Sequence, residues 1–150
     1  MPVPLTADDQ ELLREEVRAF AEAMPDGDTR LGPLAAAVNA GSLPDEALDD
    51  VGAILEAGFQ TGRIRRMHRA PGEQALLRLY GKTPAGAALA TAVSHVNKAL
   101  AQLEGQTIES VRLHSRLPGV ILMMIGTDSV EMTLRFGPEG PGVESVAVGV

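Results

Sequence analysis

Four arginines lie close together in the segment GRIRRMHR: Arg63, Arg65, Arg66 and Arg69. A guanidinium group offers several N–H donors to phosphate or carboxylate oxygens. The cluster therefore predicts contact with nucleic acid or another anion. A charged edge strand, or ion pairs to acidic helices, would explain the same residues. We favour these structural alternatives because the chain has a formal net charge of −7.

Four acidic residues form a second group in the segment SLPDEALDD: Asp45, Glu46, Asp49 and Asp50. Residues four apart share a helix face, which pairs Asp45 with Asp49 and Glu46 with Asp50. Two carboxylates on one face can hold a divalent cation. No histidine or further carboxylate lies at ligand spacing nearby, and the helix dipole favours acids in a first turn. We expect no metal site here, and an acidic face that binds a basic partner is the functional alternative.

Other motifs of known chemistry are incomplete. The GKT at 81–83 lacks the glycine that a phosphate-binding loop needs at position 76, where leucine stands. His68, His95 and His114 fall on different predicted elements without metal-ligand spacing. The chain has no cysteine, which excludes disulfides and thiolate sites. We expect no cofactor, and the pattern favours a non-enzymatic protein, although distant residues can still assemble a site in space.

Helices are predicted to position the acidic group. Thr6 with Asp9 three residues later is typical of a capped helix start, and an apolar stripe extends this helix over 6–24. A short helix is expected at 30–40. A third helix is expected from Ser42, as its N-cap, to Gly58.

The arginines are predicted to lie on a β-hairpin. Two extended-looking runs, 62–69 and 74–80, flank the turn-like APGE. Thr83 as cap and Pro84 in the first helical position then begin a long amphipathic helix that ends at Gly105. We expect its Ala/Val/Leu stripe to pack on a sheet.

The chain from residue 107 is predicted to form a four-stranded antiparallel meander. The runs TIESVRLHSR, VILMMI, VEMTLRF and VESVAVGV are separated by short turn segments. VILMMI has no polar side, which predicts a central strand covered on both faces or by a second subunit. Arg112, His114 and Arg116 alternate and so share a face. Such a row is typical of the wet side of a sheet, with an anion site as the alternative.

The segment 45–104 resembles the recognition-helix and wing segment of MarR-like and PadR-like winged-helix regulators. The resemblance rests on AILEAGF ending a helix, the basic run RIRRMHR, the apolar run ALLRLY, and KTPAG opening a long helix. It implies a winged-helix-like topology in which the hairpin at 62–80 is a wing that contacts DNA. The matching recognition helix departs from the family pattern, because it carries five acids and no basic residue.

These observations predict the α+β class: N-terminal helices with a winged-helix-like β-hairpin, a long amphipathic helix, and a C-terminal four-stranded antiparallel meander. We expect one compact unit over 1–150, with a possible division into 1–82 and 83–150. The chain is 45% hydrophobic and 3% aromatic, which predicts an aliphatic core.

The function predicted from the sequence is a protein-interaction or regulatory adaptor module. No secretory signal or membrane-spanning run is visible, so we expect a cytoplasmic protein without membrane contact. Its expected partner is another protein or a second copy, giving a homodimer or another homo-oligomer. The alternative is a nucleic-acid-binding regulator acting through the basic hairpin 62–80.

Overall fold

The computed structural model describes residues 1–24, 27 and 29–149. The chain divides into two compact units, Met1–Ala87 and Ala88–Val150. The first unit is mainly helical, and the second contains a four-stranded antiparallel sheet. The predicted α+β class and the C-terminal meander are therefore confirmed.

Short helices and a two-stranded sheet build the first unit. They are β1 (Val3–Pro4), α1 (Ala7–Ala23), α2 (Leu31–Ala40), β2 (Ser42–Leu43), a 3-10 turn (Asp45–Ala47), α3 (Leu48–Gln60), α4 (Arg63–Met67) and α5 (Ala70–Tyr80). Strands β1 and β2 pair antiparallel. Their core is aliphatic, as predicted, and draws on every one of these helices.

The start of α1 is as predicted. The Thr6 hydroxyl accepts the Asp9 N–H at 3.1 Å, and the Asp9 carboxylate accepts the Thr6 N–H at 3.1 Å. The predicted cap at Ser42 is wrong, because Ser42 pairs with Pro4 in the small sheet. Helix α3 begins only at Leu48, after the 3-10 turn.

The predicted β-hairpin at 62–80 is wrong, because α4 and α5 occupy that segment. Gly62, at a φ of 71°, turns the chain from α3 into α4. His68 is extended and separates the two helices. Pro71 lies in the first turn of α5, where a missing N–H breaks no helical hydrogen bond.

Packing explains why this segment is helical. Ile64 is fully buried in α4, and Leu76 and Leu79 of α5 are buried at the three-residue spacing of one helix face. The runs are short enough to fit either a strand or a helix by pattern alone. The wing strands implied by the resemblance are therefore not formed by 62–80.

The second unit combines most of α6 with the sheet. Its elements are α6 (Pro84–Leu100), a 3-10 turn (Ala101–Leu103), β3 (Ser110–Leu117), β4 (Val120–Gly126), β5 (Val130–Gly137) and β6 (Gly140–Val148). The strand order is β3-β4-β5-β6, with every neighbouring pair antiparallel. The predicted cap of α6 is confirmed, because the Thr83 hydroxyl accepts the Gly86 N–H at 3.2 Å.

The core of the second unit is small. Val96 and Ala99 of α6 pack against Ile125, Met132 and Leu134 of the sheet. The expected packing of the α6 stripe on the sheet is thus present at its C-terminal half. Within the described ranges, no helix is long and apolar enough to cross a membrane.

Candidate functional site

The predicted arginine cluster does not present four free guanidinium groups. Arg63 binds the carboxylate of Glu16 in α1, and 29% of its side chain is exposed. Arg65 lies 3.5 Å from the Glu73 carboxylate, with 82% of its side chain exposed. Arg66 and Arg69 are exposed. Arg63 is therefore partly buried and paired with a carboxylate of its own chain.

Glu16 is the centre of a buried polar cluster that the sequence analysis missed. It is 1% exposed, and one carboxylate oxygen binds Arg63. The other oxygen lies 2.7 Å from Nε2 of His68, which is 8% exposed. Both oxygens are thus occupied by partners from the α4 segment, so the cluster fastens α1 to α4.

A sequence signal for this cluster was present. Glu16 stands between Leu13 and Val17 on the apolar stripe of α1, where a carboxylate requires a buried partner. A cleft of about 170 Å³ opens beside the cluster, with Phe20 and Ile54 among its walls. Because Glu16 and Arg63 bind each other, the cleft offers mainly apolar surface.

Two acids of the predicted acidic face form ion pairs within the chain. The Asp45 carboxylate binds the terminal amine of Met1 at 2.7 Å, and the Asp50 carboxylate lies 3.2 Å from Arg30. Asp45 and Glu46 belong to the 3-10 turn, whereas Asp49 and Asp50 belong to α3. The four acids therefore do not lie on one regular helix. No group of three or more potential metal ligands occurs in the described part of the chain.

The second unit carries an apolar sheet surface. Val111 is paired with Ile125 and Leu113 with Met123, while Ile121 is paired with Phe136 and Leu134 with Val143. Directly paired residues point to the same face of a sheet. These side chains therefore share the face on which α6 packs. We call the exposed ones the bare face: Val111, Leu113, Ile121, Phe136 and Val143.

The bare face exists because one helix covers only part of the sheet. Val96 and Ala99 contact β4 and β5, and Leu89 lies near Gly140 at the turn into β6. A helix is ~10 Å wide, whereas a four-stranded sheet spans ~15–20 Å. Helix α6 therefore leaves β3 uncovered, and Leu113 is 67% exposed.

Strand β3 is also an open edge. All eight of its residues are exposed, and β4 is its neighbour in the sheet. Arg112 and His114 lie on the opposite, polar face, in agreement with the predicted alternation. Arg116 binds Glu144 at 2.9 Å. A long edge with one apolar face is a surface that proteins ordinarily cover.

The inner strand β4 differs from its prediction in one respect. It lies between β3 and β5 as expected for a central strand, but Ile121 and Met124 remain 47% and 37% exposed on opposite faces. Within the described chain, α6 covers one face of β4 only in part, at Ile125, so the expected cover on both faces is incomplete. The other expected source of cover was a second subunit.

Comparisons with protein-family models, with curated proteins and with solved structures found no match to this chain. The bare face is therefore interpreted from its own geometry. It is contiguous across the strands and belongs to one compact unit. These properties are typical of an interaction surface.

Proposed function

We propose that this chain is a non-enzymatic protein-interaction module that binds a second copy of itself through the bare face. The observation that carries the proposal is the set of five apolar side chains, each more than a third exposed, on the core face of one sheet. Exposed apolar residues scattered over a surface need no explanation, whereas a contiguous group does.

The size of the surface supports a stable contact. The five residues of the bare face are 38–67% exposed, and the α6 residues Leu89 and Val93 are 40% and 41% exposed. A standard interface buries ~800 Å² on each partner, of which the apolar centre is a part. The bare face is large enough to form that centre.

The small core of the second unit supports a permanent partner. A unit of fewer than ~70 residues rarely builds a sufficient core alone, and oligomerisation is one of the usual remedies. The unit Ala88–Val150 has a core cluster of only five buried hydrophobic residues among the described positions. Burial of Leu113 and Ile121 against a partner would extend that core.

A second copy fits the shape of this surface. Packed sheets lie ~10 Å apart, about the diameter of a helix, so a partner's β3–β4 half can occupy the same layer as α6. A two-fold axis then covers the β3 and β4 residues of both bare faces in a single contact. Strand β3 carries no acid, which suits close approach between two chains that each have a net charge of −7.

The nucleic-acid alternative has less support. The segment 62–80 that was expected to act as a wing is helical, and Arg63 binds Glu16. The resemblance to winged-helix regulators remains a hypothesis for 45–104.

The test is the oligomeric state, measured by sedimentation velocity over a wide range of protein concentration. We expect a dimer with a dissociation constant in the micromolar range or tighter. Ile121→Lys places a charge in the contact and should weaken the dimer at least about tenfold. Leu77→Lys is the matched control, because Leu77 is 40% exposed in the first unit and Ile121 is 47% exposed.

Two outcomes would contradict the proposal. A chain that stays monomeric at every concentration has no second copy on its bare face. A dimer that tolerates Ile121→Lys uses a different surface.

A further inference from the structure

A groove between α1 and α2 combines apolar walls with two arginines. It has a volume of about 220 Å³, and its walls include Val17, Leu31 and Val38. Arg14 and Arg18 also line it. They are four residues apart on α1, so they share one helix face. Among the described residues that line the groove, none is acidic.

The charge of this groove differs from that of its surroundings. Residues 1–60 contain 13 acids and three basic residues, and two of those three are Arg14 and Arg18. The third, Arg30, lies 3.2 Å from Asp50. The positive charge of this part of the chain is therefore concentrated at one apolar groove.

The two arginines are available to a ligand to different degrees. Arg14 donates from Nε to the Asn39 side-chain oxygen of α2 at 2.9 Å, which holds its guanidinium beside the groove. Its terminal nitrogens have no bond to another described side chain. Arg18 is exposed and has no ion pair within the described ranges.

We propose that this groove binds a short aliphatic carboxylate. The apolar walls would take the hydrocarbon chain, and the guanidinium groups would bind the carboxylate through charge-assisted hydrogen bonds. At ~30 Å³ for each water-sized group, the groove holds about seven non-hydrogen atoms, close to the size of pentanoate or hexanoate with the carboxylate carbon counted in the chain. The site lies in the first unit and is separate from the proposed self-association.

The test uses hexanoate as the probe and two-dimensional amide NMR as the readout. We expect saturable shifts of the α1 and α2 amide signals, with a dissociation constant in the millimolar range. Hexanol, which keeps the chain without the charge, should bind at least about tenfold more weakly. Hexylammonium should produce no saturable shift of these signals, because its charge is repelled by Arg14 and Arg18.

Three variants distinguish this groove from other binding. Arg18→Gln should weaken hexanoate binding about tenfold. Ala35→Leu fills the groove and should abolish binding while both arginines remain. Arg66→Gln, at an exposed arginine of α4, is the control and should leave binding unchanged.

Clear results would overturn the inference. Equal binding of hexanoate and hexanol would show that the arginines select no carboxylate. Binding that survives Ala35→Leu lies elsewhere, and the absence of saturable shifts at any concentration excludes the site. None of these outcomes affects the dimer test, because Ile121 belongs to the other unit.

Discussion

Replacing Arg63 with methionine tests how far the buried polar cluster supports the first unit. Methionine keeps much of the aliphatic stem but removes the guanidinium. The Glu16 carboxylate, 1% exposed, then retains only His68 as a charged or polar side-chain partner among the described contacts. A buried carboxylate that loses its cation is strongly destabilising.

The burial of Glu16 and Arg63 sets the expected loss of unfolding free energy. Removal of one member of a buried ion pair costs about 3–5 kcal/mol. Arg63 is 29% exposed and His68 stays in place, so we expect the lower end, about 3 kcal/mol of unfolding free energy. For a unit of this size the corresponding fall in melting temperature is about 15 °C.

Arg65→Met is the matched control in the same short helix. Arg65 is 82% exposed and lies 3.5 Å from Glu73, so its loss should cost under about 0.5 kcal/mol. A double variant, Glu16→Gln with Arg63→Met, removes the charge of the carboxylate and keeps a side-chain oxygen for His68. We expect it to be more stable than Arg63→Met alone, because a buried neutral amide has a smaller desolvation cost than an unpaired carboxylate.

The assay is urea unfolding followed by far-ultraviolet circular dichroism, with the slope of free energy against urea compared among variants. Equal losses for Arg63→Met and Arg65→Met would refute the reasoning, since the two arginines would then be energetically alike. A double variant less stable than Arg63→Met would refute the account of the stranded charge.

Two further predictions concern the same unit. Burial, and secondarily the nearby Glu56 carboxylate, raises the pKa of Tyr80 above its ordinary 10.0. The unfolded chain therefore loses this proton first, so the contribution of Tyr80 to stability is full below about pH 10 and is lost as pH rises through the folded pKa. Absorbance of tyrosinate measures it directly, since the chain has one tyrosine and no tryptophan; a midpoint at or below 10 contradicts the prediction. Gly58→Ala would place a Cβ 2.7 Å from the Ile64 side chain and should cost about 1–3 kcal/mol. Gly32→Ala meets no atom beyond its chain neighbours within 4 Å, but it precedes Pro33, so it should change stability by less than about 1 kcal/mol. Thermal unfolding in which Gly32→Ala costs more than Gly58→Ala would show that the packing at Gly58 is misjudged.

Local sequence signals predicted the parts of the fold that local chemistry determines. The reciprocal bonds of Thr6 and Asp9 and the cap at Thr83 depend on residues three apart. Their spacing is visible in the sequence. The meander was predictable for a similar reason, because short turns between β-rich runs leave antiparallel pairing as the simple connection.

The hairpin prediction failed where the local signal is ambiguous. Helix α4 has five residues, which is too short to display a helical period. Pro71 was interpreted as part of a turn, although proline is also common in the first turn of a helix. What decides the structure is non-local: Ile64 fills the space beside Gly58 of α3, and His68 reaches Glu16 of α1.

The bare face also shows what the sequence alone does not predict. Val111 and Leu113 alternate with Arg112 and His114, which is the pattern of a strand with one buried face. The sequence therefore predicts that one side of β3 requires cover. It does not indicate the source of that cover, because the position of α6 over β4 and β5 depends on packing at Val96 and Ala99. A strand can thus have the alternating apolar residues of a core strand and still be exposed. In this chain, the exposed apolar residues of β3 belong to the surface that we propose binds a second copy.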